Sequence, residues 1–313
     1  MGVPFLNASP ADPVTACYRG RRMTGNRRLL VFAAFALALA ALALAVLAGP
    51  VLPDSFRFVI LCDRTGEAQP GVFEQVWRET AALDPAFVLS VGDNIEGLDD
   101  SAAEAQWRQW QRIVAPYRQH PLYLVPGNHD IWSERSEQLF RKFAAHPPHY
   151  SFDYGSAHFT ILDNSRSDEL PGAELAFLDA DLQAHAAQPV KFVFSHRPSW
   201  LINAAFANPQ FPFHQLARRY GVRYVIAGHV HQMLHIDLDG VTYLSMPSSG
   251  GHLRNSKKYE DGWFFAETAV DVRGTDVSFR IQELKPPHGQ GRVTTPKDWG
   301  KVGLVPRAAT AAQ

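Results

Sequence analysis

Five apolar runs in this chain end on the same kind of punctuation. "RFVILCD", "FVLSVGDN", "LYLVPGNHD", "KFVFSH" and "YVIAGHVH" each pass from a buried-strand pattern straight into Asp, Asn or His. A short apolar run bounded by turn residues reads as a strand buried on both faces. Such strands belong to α/β sheets, whose carboxyl ends open onto a shared crevice. The chain is therefore expected to bring Asp63, Asp93, Asn128, His129, Asp130, His196, His229 and His231 together. Gly92, Gly127 and Gly228 directly precede three of these groups, where the backbone must turn sharply off its strand.

Between the runs lie helical periodicities. Strands are expected at 56–61, 87–91, 122–125, 191–194 and 224–226. Helices are expected at 72–82, 102–114, 133–145, 173–186 and 213–220. A hairpin is read around "YGSA", with strands at 150–154 and 158–162. Paired strands around "LDG" and "VRGT" run to Leu284. Alternating strands and helices followed by antiparallel strands predict an α/β layered sandwich of two sheets. Residues 286–313 are rich in Gly, Pro and Ala without periodicity, and read as a disordered tail.

The first 54 residues read differently. Leu29 to Ala48 is an uncharged stretch long enough to span a bilayer as one hydrophobic helix. Arg19, Arg21, Arg22, Arg27 and Arg28 precede it, and the next basic residue is Arg57. The positive-inside rule places residues 1–28 in the cytoplasm and the chain after Pro50 outside, in the periplasm or the extracellular space. The stretch is either a transmembrane signal anchor or a signal peptide cut after Ala48, which would release the domain. The metal-binding pattern occupies residues 55–285.

Global charge excludes little except one partner. A formal net charge of −1 gives no electrostatic basis for a nucleic-acid surface, and no specific nucleic acid is expected. There are two cysteines, with Cys17 ahead of the hydrophobic stretch and Cys62 inside the first strand, so no disulfide framework is expected. Oligomeric state has no signature in the sequence.

Asp, Asn and His at successive strand ends form a mixed oxygen and nitrogen ligand set suited to Zn, Mn or Fe. "GDNIE", "GNHD", "SHRP" and "GHVH", in this order, resemble the calcineurin-like metallophosphoesterases over about residues 56–284. The resemblance implies a four-layer αββα sandwich of two mixed sheets. It also implies a dinuclear centre of divalent or trivalent transition metals (Mn, Fe or Zn), and hydrolysis of phosphate mono- or diesters. Asp93 would bridge the metals. Asn128, His196 and His229 would complete one shell, and Asp63 and His231 would hold the other. His129 would face the leaving oxygen, oriented by Asp130.

One position departs from the family pattern. Asp-x-His is usual in the first motif, but here Thr65 follows Asp63 and Arg64. Purple acid phosphatases, a related branch, also lack that His and use a Tyr three residues after the bridging Asp. Glu96 stands at that place and is a candidate ligand, with a supporting role outside the metal shell as the other reading. A water filling the gap, or a degenerate site that binds without turnover, are the remaining alternatives. Arg64 and His252 are candidate substrate contacts. Trp132 and Trp200 are expected near the mouth of the site, where they either cover a base or lipid head group or simply pack the loops. The expected substrate is a small organic phosphoester or a lipid head group. A metal-dependent nuclease and a catalytically degenerate phosphate-binding membrane protein are the competing readings.

Overall fold

The computed structural model describes residues 55–303. The hydrophobic stretch at 29–48 and the last residues, 304–313, lie outside the described residues. Among the described residues, no helix is long and apolar enough to cross a membrane.

Two six-stranded mixed sheets form the centre. The first has the order β12-β11-β10-β1-β2-β3, from Gly289–Thr294, Asp276–Lys285, Phe265–Arg273, Ser55–Leu61, Phe87–Ser90 and Leu122–Leu124. The second has the order β4-β5-β6-β7-β9-β8, from Tyr150–Tyr154, Ala157–Ile161, Val190–Phe194, Tyr224–Ala227, Val241–Ser245 and Leu234–Leu238. Strands β1, β2 and β3 run parallel, as do β5, β6, β7 and β9. Their carboxyl ends carry the site.

Strand alternation divides the apolar residues between layers. Phe58, Ile60 and Cys62 face the second sheet, while Val59 and Leu61 of the same strand face the outer helices. The inter-sheet layer is aromatic, with Phe58 stacked on Phe87 at 5.1 Å and edge-on to Phe159 at 5.2 Å. Helices α1 (Val72–Ala82), α2 (Ala103–Val114) and α3 (Glu134–Ala144) bury Trp77, Trp107 and Phe140 against the first sheet. Helices α4 (Gly172–Ala184), α5 (Leu201–Ala205) and α6 (Pro212–Arg219) pack Leu178, Leu182, Ala204 and Phe213 on the second. This is the αββα sandwich, with three apolar layers separating its four tiers.

Two expectations are corrected. The expected disordered tail begins with an ordered edge strand. β12 pairs antiparallel with β11, and a 3-10 turn follows at Pro296–Asp298. Side chains of its neighbours hold this strand. Glu283 accepts the Arg292 N–H at 2.8 Å, and Gln282 donates to the Gly291 carbonyl at 3.2 Å. The second correction concerns Trp200, which does not line the mouth. It is fully buried and packs on Tyr243 at 5.1 Å.

Candidate metal centre

The ligand candidates converge because four of them leave the ordinary backbone regions. Asp63, Asp93, His229 and His231 have φ of 45°, 55°, 71° and 60°. The left-handed region is costly for residues with a Cβ, by about 1–2 kcal/mol each. In a regular strand the two imidazoles of "HVH" would lie on one face, spaced along the chain. Left-handed turns beyond β7 bring both residues to Asp63 instead: the His229 backbone N–H donates to its carboxylate at 3.0 and 3.1 Å, and His231 Nε2 lies 3.5 Å from Oδ1.

Close approach of backbone to carboxylate requires glycine at two points. A Cβ on Gly127 would stand 2.2 Å from Asp93 Oδ1, and one on Gly228 would stand 2.7 Å from Asp63 Oδ2.

Asp93, His196 and His229 present ligand atoms that all lie within 4.8 Å of one another. His196 Nε2 is 3.2 Å from Asp93 Oδ2 and 3.1 Å from Asn128 Oδ1. Its Nδ1 meets the Val91 carbonyl at 2.8 Å. A carbonyl can only accept, so Nδ1 carries the proton and Nε2 faces the centre. His231 is fixed the same way, with Nδ1 donating to the His252 carbonyl at 2.8 Å. Asp93 Oδ2 and His229 Nδ1 are buried without a hydrogen-bond partner. Two buried ligand atoms without partners in one cluster fit a bound cation.

Electrostatics agree with that fit. Burial would raise the Asp63 carboxyl, but His231 and His196 hold it well below the usual carboxylate range. Burial pushes the His196 imidazole down, yet Asp93 and Asp63 bring it up to about 9. His229 goes the other way, to about 4, through burial and the neighbouring His196 charge. The cleft thus keeps a proton on His196 against two buried carboxylates, in the place a cation would take.

The second half of the centre is thinner. Asp63 and His231 meet, but Thr65 is buried with its hydroxyl unpartnered. Glu96 turns its carboxylate to the loop that follows, accepting the N–H groups of Ala68 at 2.8 Å and Glu67 at 3.3 Å. Burial opposes its charge, while nearby Thr65 and those two N–H groups hold the carboxyl below its ordinary value.

The other candidates separate into touching and supporting groups. His129 Nδ1 donates to the Glu96 carbonyl, and its N–H donates to Asp93 Oδ1 at 2.9 Å. Its orienting partner is therefore that carbonyl, which corrects the expected Asp130. The Asp130 carboxylate is fully buried and accepts from the Asn94 and Gly127 N–H groups at 2.8 and 3.0 Å and from Asn94 Nδ2 at 3.1 Å. Burial and the Asp93 charge raise it to about 6. Arg64 is anchored on the Asn94 carbonyl at 2.9 Å, with its guanidinium over the Phe73 ring. The His252 ring donates to the Gly66 carbonyl at 2.8 Å, so its own carbonyl, not its ring, supports His231.

Sequence reading missed the clamps around these groups. Asn164 Oδ1 accepts the N–H groups of His196 and Arg197 at 3.1 and 3.0 Å. Ser248 Oγ donates to the Asp63 carbonyl at 3.1 Å, and the Gly251 N–H to the same oxygen at 2.8 Å. The compact "SSGG" was the one visible sign of a loop packed against the first motif.

The architecture and ligand set define a phosphoester hydrolase of the metal-dependent kind. The family signature described as Calcineurin-like phosphoesterase matches residues 57–233, and the chain belongs to this family. It is 26% identical over 225 residues to a probable cyclic nucleotide phosphodiesterase of Moraxella catarrhalis, covering 64% of this chain and 78% of that one. It is 28% identical over 171 residues to a 3',5'-cyclic-nucleotide phosphodiesterase of a Nostoc species, covering 52% of this chain and 62% of that one. Among solved structures, a purple acid phosphatase from yellow lupin superposes with a TM-score of 0.60 at 16% identity, covering 77% of this chain and 53% of the lupin chain. That likeness concerns the fold.

Proposed function

We propose that this protein hydrolyses phosphodiesters at a dinuclear metal centre of unequal halves, in a domain outside the cytoplasmic membrane. The observation that carries the hydrolytic reading is the convergence of Asp93, His196 and His229 on one point, beside Asn128. The diester preference is supported by the cyclic-nucleotide phosphodiesterases among the relatives. Placement outside the membrane rests on the arginine-led hydrophobic stretch at 29–48.

Asp93, Asn128, His196 and His229 would hold one cation, and Asp63 and His231, with Glu96 as the available further carboxylate, the other. Bound there, Mn, Fe or Zn would supply Lewis acidity and lower the pKa of a water. The chain's own residues do the rest. The His129 Nδ1–H donates to the Glu96 carbonyl and fixes the ring, so Nε2 serves as proton donor only in the imidazolium, with both nitrogens protonated. In hydrolysis a water oxygen bonds to phosphorus and the P–O ester bond breaks. The departing alcohol oxygen takes its proton from Nε2 of the His129 imidazolium, the attacking water gives up a proton to solvent, and the second ester group stays on the product phosphate. Asp130 and Asn94 keep the Gly127–His129 turn in place.

The test is hydrolysis of bis(p-nitrophenyl) phosphate by the Mn-loaded protein, beside Asp93→Ala and His129→Ala. Loss of more than about a hundredfold in kcat for both variants, with unchanged circular dichroism, is expected. Equal rates in wild type and both variants would reject the assignment.

A further inference from the structure

A groove of about 760 Å³ opens beside the centre, and His229 belongs to both. Its wall is mainly apolar, built by Leu170, Leu175, Leu201, Phe211 and Phe213, with Glu169, Ser199 and Asn203 as the polar residues among them. Arg197, next in the chain to the His196 ligand, also lines it. The Arg197 guanidinium is paired with Asp168, whose side chain is 87% exposed and readily displaced. The groove therefore runs from a metal ligand, past one cation, into a cleft of aliphatic side chains.

The shape of the wall discriminates between ester groups. A nucleobase needs an open aromatic face or paired polar groups. Phe211 and Phe213 are 9% and 3% exposed and offer no such face. The Asn203 amide oxygen on the rim already accepts from Asn208 at 2.8 Å. At the rim, α5 turns Ile202 outward at 73% exposure, and Phe206, one helical turn on, is equally exposed. Single exposed apolar residues need no account, but two on one turn, the first of them lining the groove, mark a surface for an apolar ligand.

We propose that this groove seats an alkyl or acyl chain carried by an amphiphilic phosphodiester, with Arg197 exchanging Asp168 for a phosphate oxygen. The inference rests on the hydrolase reading only for turnover. The groove, the cation and their junction at His229 stand without it.

Binding and turnover are therefore measured separately on the Mn-loaded full chain. Two non-hydrolysable anions without an ester bond, dimethylphosphinate and methyl(octyl)phosphinate, are titrated calorimetrically below the micellar concentration. The octyl phosphinate is expected to bind at least tenfold more tightly, and Ile202→Asp and Leu175→Asp are each expected to bring it down to the methyl level. Equal affinities in the wild type overturn the groove assignment, as does a chain preference unmoved by both variants. If the preference holds but p-nitrophenyl octyl phosphate is not cleaved, the groove stands and the hydrolase reading falls. Phosphatidylglycerol in vesicles against its monomeric dihexanoyl form separates the sources of the ligand. Faster attack on vesicles assigns a membrane lipid, and faster attack on the monomer assigns a soluble ester.

Discussion

The Arg254 guanidinium lies 3.4 Å from Nε2 of His231. That nitrogen is the acceptor of the ring, because Nδ1 donates to the His252 carbonyl. Arg254 thus stands at the lone pair a metal would use, on the side of the centre where Thr65 replaces the usual His. A cation there must displace the guanidinium and endure its charge. The two halves of the centre should bind unequally. Elemental analysis after dialysis should find close to one tightly held transition metal per chain, with a second recovered only in excess metal. Arg254→Ala should tighten the weaker position by about three- to tenfold, the scale of one exposed charge. Glu96→Ala should abolish it. Two metals of equal affinity, indifferent to both variants, would contradict this account.

Gly127→Ala places a Cβ 2.2 Å from Asp93 Oδ1 and 2.3 Å from the Asp93 nitrogen. Both contacts are with atoms held by the site, so neither can yield cheaply. A loss of about 1–3 kcal/mol in stability is expected from overpacking alone. The sharper readout is metal retention, which should fall with the displaced Asp93 carboxylate while the far-ultraviolet spectrum keeps its native form.

Asp130→Asn tests whether that carboxylate is a positioning residue. One oxygen accepts two donors and the other accepts a third. An amide in either orientation leaves at least one buried N–H without an acceptor, at a cost of about 1–3 kcal/mol. The urea midpoint should drop, and kcat should fall more than KM changes, because the turn that carries His129 loosens. A bell-shaped pH profile identical to the wild type, at a lower maximum, would show that Asp130 donates no proton in the reaction.

Glu267, on β10, links pH to stability away from the centre. It is 1% exposed, with Arg280 at 3.5 Å, and burial raises its carboxyl to about 7 from an ordinary 4.5. Between those values the folded chain holds a proton that the unfolded chain has lost. Stability therefore falls as pH rises from about 4.5 to 7, and levels off above it. Glu267→Gln removes the penalty. The variant should be more stable than wild type at pH 8, on the order of 2 kcal/mol, and closest to it near pH 4. Chemical denaturation at the two pH values reads the difference, and a gap larger at pH 4 would reverse the sign and defeat the explanation.

The sandwich was legible because strands buried on both faces have to be apolar and have to stop at a turn. Phe58–Leu61 and Phe192–Phe194 could hardly be anything else. The ligands were legible for the same reason, as the first polar residues after each run. β12 was not, because "GQGRVT" carries little apolar content of its own and is held by Glu283 and Gln282 on the neighbouring strand. The partner of His129 was hidden as well. An adjacent carboxylate invites pairing in sequence, but Asp130 points back to Gly127 and Asn94, and a main-chain oxygen 33 residues away takes the ring. Backbone carbonyls leave no mark in a sequence. The apolar groove was equally invisible, since its wall gathers residues from three separate segments.

The left-handed backbone at Asp63, Asp93, His229 and His231 sets heat tolerance and function against each other at the same four positions. Glycine would relax each by about 1 kcal/mol, and at the two aspartates it would also remove a fully buried charge. A library sorted only for survival on heating should therefore drift toward glycine there, and its hardiest members should be the ones that no longer hold metal.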